Sequence, residues 1–233
     1  MLEVAGLHAG YAGSEVLHGV NLQVAAGEGV VVLGPNGHGK TTLLRVLSGL
    51  LKPRHGTVRF NGQDITGWRP DLIAAAGLVH IPQGDLLFPE MTVLENLLMG
   101  AYDGRAWKDR HGRLEYVIGL FPWLGERRGQ LARSLSGGER RMLAIGRGLM
   151  ARSKLLLIDE PSLGLAPAIT ERIYASIAAI KQTGLSILLA DENANHIAEL
   201  ADRAYLLETG VLVRECSADE LLHDEALLAT YLG

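Results

Sequence analysis

Residues 34–42, Gly34-Pro35-Asn36-Gly37-His38-Gly39-Lys40-Thr41-Thr42, fit the spacing GxxxxGK[ST] and directly follow the apolar run Gly29–Leu33. Glycines at these positions free backbone N–H groups to wrap a phosphate. The helix that starts behind them adds about half a positive charge at its N-terminus. Lys40 can reach the β- and γ-phosphates of a nucleotide, and Thr41 can ligate Mg2+. A second apolar run, Leu155–Asp159, ends in the acids Asp159 and Glu160. At the carboxyl edge of a parallel sheet, Asp159 can hold Mg2+, and Glu160, one step further out, can orient and deprotonate a water. An acidic pair after a strand is, alone, more often a solvated helix cap, but the upstream loop gives it a phosphate to act on.

The segment Leu135-Ser136-Gly137-Gly138-Glu139 supplies a third constellation, directly before a helix and some 20 residues ahead of Asp159. Ser136 and Glu139 have the spacing of a capping box, which accounts for those two residues as helix caps. It does not account for Gly137 and Gly138, whose bare N–H groups at a positive helix end suit a phosphate.

Elements able to position these groups are legible in the periodicity. Strand patterning covers residues 2–7 and 17–24 with a Gly-rich turn at 10–14, and GVVVL reads as a strand buried on both faces. Leu43, Leu44 and Leu47 mark a helix that stops at Gly49. A strand and turn over 57–65 and a short strand at 78–82 follow. Between Thr92 and Arg152 helical periodicity replaces strands: Thr92 and Glu95 form a capping box, a second helix covers 110–120, and a third covers 138–152. Strands at 155–159, 185–190 and 204–208 then alternate with helices over 168–182 and up to Leu200. From Ser217 two short helices are expected, the first opened by Ser217 and Glu220. The pattern is an α/β sheet interrupted by an all-helical insert.

Composition agrees with one globular unit: 233 residues, 48% hydrophobic and 5% aromatic, with 22 Lys+Arg against 26 Asp+Glu. A net charge of -4 gives no bulk attraction to nucleic acid, so no nucleic acid partner is expected. The single cysteine, Cys216, excludes an intrachain disulfide and a cysteine-based zinc site. Nothing at the N-terminus reads as a signal peptide, and no window approaches the roughly 20 apolar residues of a membrane span.

In this order, the motifs resemble the ATP-binding subunits of ABC transporters over essentially the whole chain. The resemblance implies an α/β P-loop NTPase (RecA-like) core with a mostly parallel sheet, an N-terminal antiparallel β region and a helical insert subdomain. A single domain would then comprise residues 1–88 and 153–233 as nucleotide-binding core and 89–152 as insert. It implies MgATP as substrate and cofactor, Glu160 as catalytic base, and Thr41, Asp159 and Gln83 as metal ligands. Tyr11 is similar to the family's adenine-stacking aromatic, and otherwise a turn tyrosine covering the sheet edge. Gln83, in HIPQGDLLFP, is similar to the glutamine that touches Mg2+ or the attacking water and joins the core to the insert, and otherwise a strand-end amide. Residues 84–89 would grip a membrane subunit. Residues 136–139 would close on the ATP of a second ATPase subunit, identical or paralogous.

The phrases QDITG, FPEMTVLENLLMGAY, PSLGLAP and ELADRAYLLETG look like the smaller ATPase subunit of branched-chain amino acid importers, a group related to urea and amide importers. The implied setting is the cytoplasmic face of the cell (inner) membrane, peripheral, beside permease subunits and, indirectly, an external solute-binding protein. A soluble ABC-type ATPase acting on nucleic acid is the alternative, opposed by the lack of heptad runs or a tandem repeat. Three positions depart from the family pattern: Glu192 stands in the slot of the switch histidine, Ala166 where many relatives have aspartate, and His38 at a loop position usually held by a small residue. His38 is expected to point outward, its backbone serving the loop.

Overall fold

The computed structural model describes residues 1–192 and 200–223. β1 (Leu2–Tyr11) and β2 (Ser14–Val24) form a hairpin, and β3 (Gly29–Leu33) leads into α1 (Lys40–Leu47). β4 (His55–Phe60) and β5 (Gln63–Asp64) flank a turn in which Asn61 and Gly62 take φ of 51° and 79°, the left-handed pair such a tight hairpin requires. After α2 (Pro70–Ala76) and β6 (Leu78–Ile81) come α3 (Val93–Met99), α4 (Gly104–Lys108), α5 (Arg110–Leu120), α6 (Pro122–Glu126) and α7 (Gly137–Leu149). β7 (Leu155–Asp159), α8 (Pro167–Gln182), β8 (Ser186–Asp191), β9 (Arg203–Glu208), β10 (Val211–Ser217) and α9 (Ala218–His223) follow.

The strands form two sheets among the described residues. One has the order β2-β1-β4-β5 and is antiparallel; the other has the order β10-β9-β3-β8-β7-β6, parallel except for its β10 edge. Every residue of β3, β7 and β8 is buried, because the second sheet is covered on both faces. The pleat divides each strand between two cores. Val30, Val32, Leu155, Leu157 and Leu188 face α1 and, beyond it, the antiparallel sheet. Val31, Leu33, Leu156, Ile158 and Leu189 face the other way, onto α7, α8 and the helical segment. Val93, Leu97, Val117 and Leu124 of that segment share this second core, so the insert packs as a continuation of the sheet's own face.

Expected and observed elements differ in instructive places. β1 extends through Gly10 and Tyr11, where a turn was expected, because Gly10 lets the hairpin close: a Cβ there would lie 2.0 Å from the Ser14 carbonyl oxygen. α7 stops at Leu149 rather than Arg152, since Arg152 adopts φ 54° and cannot continue a right-handed helix. α2, α4, α6 and β10 carry no clear periodic signal; the first three are five to seven residues long and β10 is a largely exposed edge strand. The capping boxes at Thr92/Glu95 and Ser217/Glu220 are both formed. The helix expected up to Leu200 and the second tail helix lie outside the described residues.

The close seam between α3 and α7 gives a direct test. A Cβ on Gly100, whose φ is an ordinary -67°, would lie 2.0 Å from the backbone oxygen of Arg147. Gly100→Ala therefore forces the two helices apart and is expected to cost about 1–3 kcal/mol, read as a fall in Tm of roughly 2–4 °C per kcal/mol by thermal unfolding.

Candidate functional site

Gly34 begins the phosphate loop where β3 ends, and the backbone passes β9 so closely that a Cβ would lie 2.2 Å from the Leu207 carbonyl oxygen. Gly37 and Gly39 take φ of 83° and 109°, which turn the loop back to start α1. Gly39 caps α1 without a side chain, leaving the first-turn N–H groups for an anion. A cavity of about 330 Å3 opens over the loop. Asn36, Gly37, Gly39, Lys40, Thr41 and Thr42 line it from the loop, and Gln83, Glu160 and Leu163 close the opposite side.

Two charged contacts organise the cavity. The Lys40 ammonium, 3% exposed, donates to the Gly34 and Pro35 carbonyl oxygens at 2.6 and 3.2 Å and pairs with Glu160 Oε1 at 3.2 Å. Glu160 Oε2 accepts from Gln83 Nε2 at 3.2 Å, so Gln83 serves the acid side chain and not the strand-end backbone. Glu160 sits at φ 42°, a left-handed conformation unfavourable for a side chain-bearing residue; its N–H donates to the Ala190 oxygen at 2.9 Å. Thr41 Oγ1 donates to Asp159 Oδ1 at 3.2 Å. The second carboxylate oxygen of Asp159 is buried without a partner among the described residues. Burial, and next to it the Glu160 charge, pushes the Asp159 carboxyl above the usual carboxylate range, while Thr41 and Lys40 oppose the shift.

The remaining expected residues lie outside this cavity's lining. Glu192, at the exposed end of β8, accepts a hydrogen bond from Asn36 Nδ2 at 2.5 Å, so the unusual acid is held by the phosphate loop's own amide. Tyr11 ends β1 half-exposed, its hydroxyl accepting from Arg45 of α1 at 3.1 Å. Ser136 caps α7; the Glu139 carboxylate accepts from the Ser136 N–H and hydroxyl at 2.8 Å each and pairs with Arg127 at 2.6 Å. The Ser136 N–H bond is the main cause of the lowered Glu139 pKa. Ser136 is exposed, whereas Gly138 is pressed against α8: a Cβ would lie 2.2 Å from Ile169 Cγ2. Packing therefore accounts for Gly138 without a ligand, and the outward-facing reading is left to Gly137 and the Ser136 cap. Residues 136–139 do not line the phosphate-loop cavity.

His38 does not point into solvent. Its Nδ1 accepts the Thr209 N–H at 3.2 Å and its carbonyl oxygen accepts the Gly210 N–H at 3.0 Å, fastening the loop to the turn between β9 and β10. The same turn binds β2, since Gly210 O accepts the His18 N–H at 2.8 Å and a Gly210 Cβ would lie 1.8 Å from the Val16 oxygen. This anchoring role was invisible in the sequence because its partner lies some 170 residues away; the non-small residue at that loop position was the only signal.

The family model for the ABC transporter matches residues 17–163. The high-affinity branched-chain amino acid transport ATP-binding protein BraG of Pseudomonas aeruginosa is 41% identical over 96% of this chain and 95% of its own length. The lipopolysaccharide export system ATP-binding protein LptB of Escherichia coli is 32% identical over 100% of this chain and 97% of its own. Among solved structures, the ADP conformation of an ATP-binding cassette of an ABC transporter superposes with a TM-score of 0.85 at 27% identity, covering 100% of this chain and 98% of that one.

Two outcomes follow from the geometry. His38→Ala removes one loop-anchoring hydrogen bond, worth about 1 kcal/mol, and is expected to raise the Kd for ATP about fivefold in equilibrium titration, with His38→Asn recovering part of the loss. Asp159 has a raised folded-state pKa, so its stability contribution is largest below the unfolded value and is lost as pH rises through the folded one; at neutral pH the buried charge is a cost. Asp159→Asn is expected to raise the Tm of the nucleotide-free protein at pH 7 and not at pH 3, while abolishing the Mg2+ dependence of nucleotide binding.

Proposed function

The chain belongs to the ABC transporter family as an ATP-hydrolysing, ATP-binding subunit, and we propose that it drives an importer for branched-chain amino acids from the cytoplasmic face of the membrane. The observation that carries the chemistry is the single cavity holding Lys40, Thr41, Gln83 and Glu160, with Asp159 directly beneath. The substrate class rests on the 41% identity to BraG, against 32% for LptB at similar coverage.

A buried, unpartnered carboxylate oxygen beside a threonine hydroxyl fits a hard divalent cation, so Asp159 and Thr41, with Gln83, would hold Mg2+. Bound there, Mg2+ would supply positive charge to the phosphate oxygens. Lys40 exchanges its contact with Glu160 for the incoming phosphate oxygens. Glu160, freed of its cation, accepts a proton from a water positioned with Gln83 as that water's oxygen bonds to the γ-phosphorus and the bond to ADP breaks. Loop N–H groups and the α1 N-terminus stabilise the charge that develops.

One chain leaves this cavity open to solvent, and the exposed Ser136 end of α7 does not line it. A second ATPase subunit, identical or paralogous, would close each site head to tail, with Ser136, Gly137 and Glu139 completing it. No helix among the described residues is long and apolar enough to cross a membrane. A separate groove of about 570 Å3 beside residues 84–89, exposing Leu86, Phe88, Met99 and Tyr102, is the surface we assign to the permease.

The test is reconstitution with the cognate permease in proteoliposomes: leucine uptake must require ATP and this chain, and uptake of urea or lipopolysaccharide release in its place would reassign the substrate. In that assembly Glu160→Gln is expected to bind ATP and hold the dimer while hydrolysis falls by about 10²-fold or more, and Ser136→Arg to keep monomer ATP binding yet lose hydrolysis. Equal loss of binding and hydrolysis in Ser136→Arg would make residue 136 a helix cap alone. A carboxylate near the γ-phosphate weakens a site that a histidine would assist, so Glu192→His is expected to preserve or raise the ATPase rate. A large fall in Glu192→His, Glu192→Gln and Glu192→Ala alike would make Glu192 a participant in catalysis.

A further inference from the structure

At the edge of the parallel sheet opposite the phosphate loop, a cavity of about 450 Å3 lies where α5 meets the turns that start β3, β7 and β8. Arg113 and Tyr116 enter it from α5, Ser153 and Lys154 from the turn before β7, and Thr183 and Gly184 from the turn before β8. No acidic residue lines it. Two cations thus border an open cavity that no acidic side chain lines, in a chain whose net charge is -4.

The Arg113 guanidinium is the more telling of the two. It lies 5.2 Å over the Tyr116 ring and donates from Nη2 to the Leu149 oxygen at 2.5 Å, but makes no ion pair among the described residues. Asp109, one turn earlier on the chain, is 3.9 Å from Arg152 instead. The Arg113 Nε and the Ser153 hydroxyl are both buried and have no hydrogen-bond partner there. Burial lowers the guanidinium pKa, with the charges of Tyr116 and Asp109 opposing it. A partly desolvated cation with spare donors, a second cation and a free hydroxyl is a donor set for a multi-oxygen anion, and a guanidinium fork matches phosphate oxygens two at a time. Tyr116 and Thr183 join hydroxyls at 3.1 Å across the rim, tying the insert to the core at the same point.

We propose that this cavity is a second anion site, binding a small phosphate-bearing ligand with Arg113 and Lys154 as charged anchors and Ser153 as a hydroxyl donor. It is separate from the nucleotide cavity in every lining residue, and it does not depend on the transported substrate. A ligand here spans α5 and two core turns, so its binding joins the helical insert to the sheet from the side opposite ATP.

Titration calorimetry with pyrophosphate tests it. Wild type is expected to bind two equivalents, and Lys40→Ala, which disables the phosphate loop, to keep one. In the Lys40→Ala background, Lys154→Gln is expected to weaken that remaining binding at least tenfold and Arg113→Gln to remove it, with affinity falling as salt rises. A parallel titration with AMP separates sources: binding as tight as pyrophosphate points to a nucleotide monoester, and binding of pyrophosphate alone to an inorganic phosphate. Absence of pyrophosphate binding in Lys40→Ala overturns the proposal, as does an unchanged Kd in Lys154→Gln, an exposed position whose substitution leaves the core untouched.

Discussion

An ammonium group that is 3% exposed must be neutralised where it sits, and Lys40 meets that requirement with two carbonyl oxygens of its own loop and the Glu160 carboxylate. The pairing joins the end of β3, the first turn of α1 and the end of β7 at one point. It also sets Glu160 in a left-handed conformation, which the surrounding contacts hold: its N–H on Ala190, its carboxylate on Lys40 and Gln83. A phosphate that took over Lys40 would therefore remove one of the contacts restraining Glu160. On the proposed mechanism, nucleotide arrival and release of Glu160 would be the same exchange of partners.

The two cores explain how that point is kept rigid. β3, β7 and β8 divide their side chains between α1 on one face and α7, α8 and the insert on the other, so none of the three strands can slip by one residue without exchanging its two buried sets. Close approaches at Gly34, Gly100, Gly138 and Gly210 draw the loop, the insert and the β9–β10 turn against one another at distances no side chain would allow. His38 completes this by fastening the loop to a turn that is itself seated on β2. The phosphate-loop cavity is lined from the ends of β3, β6 and β7 and the start of α1, and the Ser136 cap at the N-terminus of α7 does not line it.

Unpaired cations mark where such a frame still has binding capacity. Several basic groups are matched by acids, as Arg203 is by Glu28 and Glu215, or Arg140 by Asp85. The Arg113 Nε is buried without such a match among the described residues, at the strand-start edge of the sheet where ligands of α/β folds are not ordinarily sought. An anion there would do for Arg113 what Glu160 does for Lys40, since a desolvated charge needs a counter-charge.

Local chemistry wrote most of the candidate nucleotide site into the sequence. The loop glycines, Lys40, Thr41 and the strand-end acids depend on residue types at short, fixed spacing after apolar runs, and a parallel sheet brings strand ends to one edge whatever else the chain does. The capping boxes were legible for the same reason, since each involves residues three apart. What tertiary structure alone decided are contacts between distant segments: Glu160 on Lys40, Asn36 on Glu192, His38 on the β9–β10 turn, and Ile169 on Gly138. The short helices α2, α4 and α6 and the exposed strand β10 belong to this second group, being held by packing and pairing rather than by a periodic pattern of their own. Sequence spacing fixes which groups can do the chemistry, because it acts within a turn or a strand; which of them touch is fixed by how two cores pack, and no local pattern contains that distance.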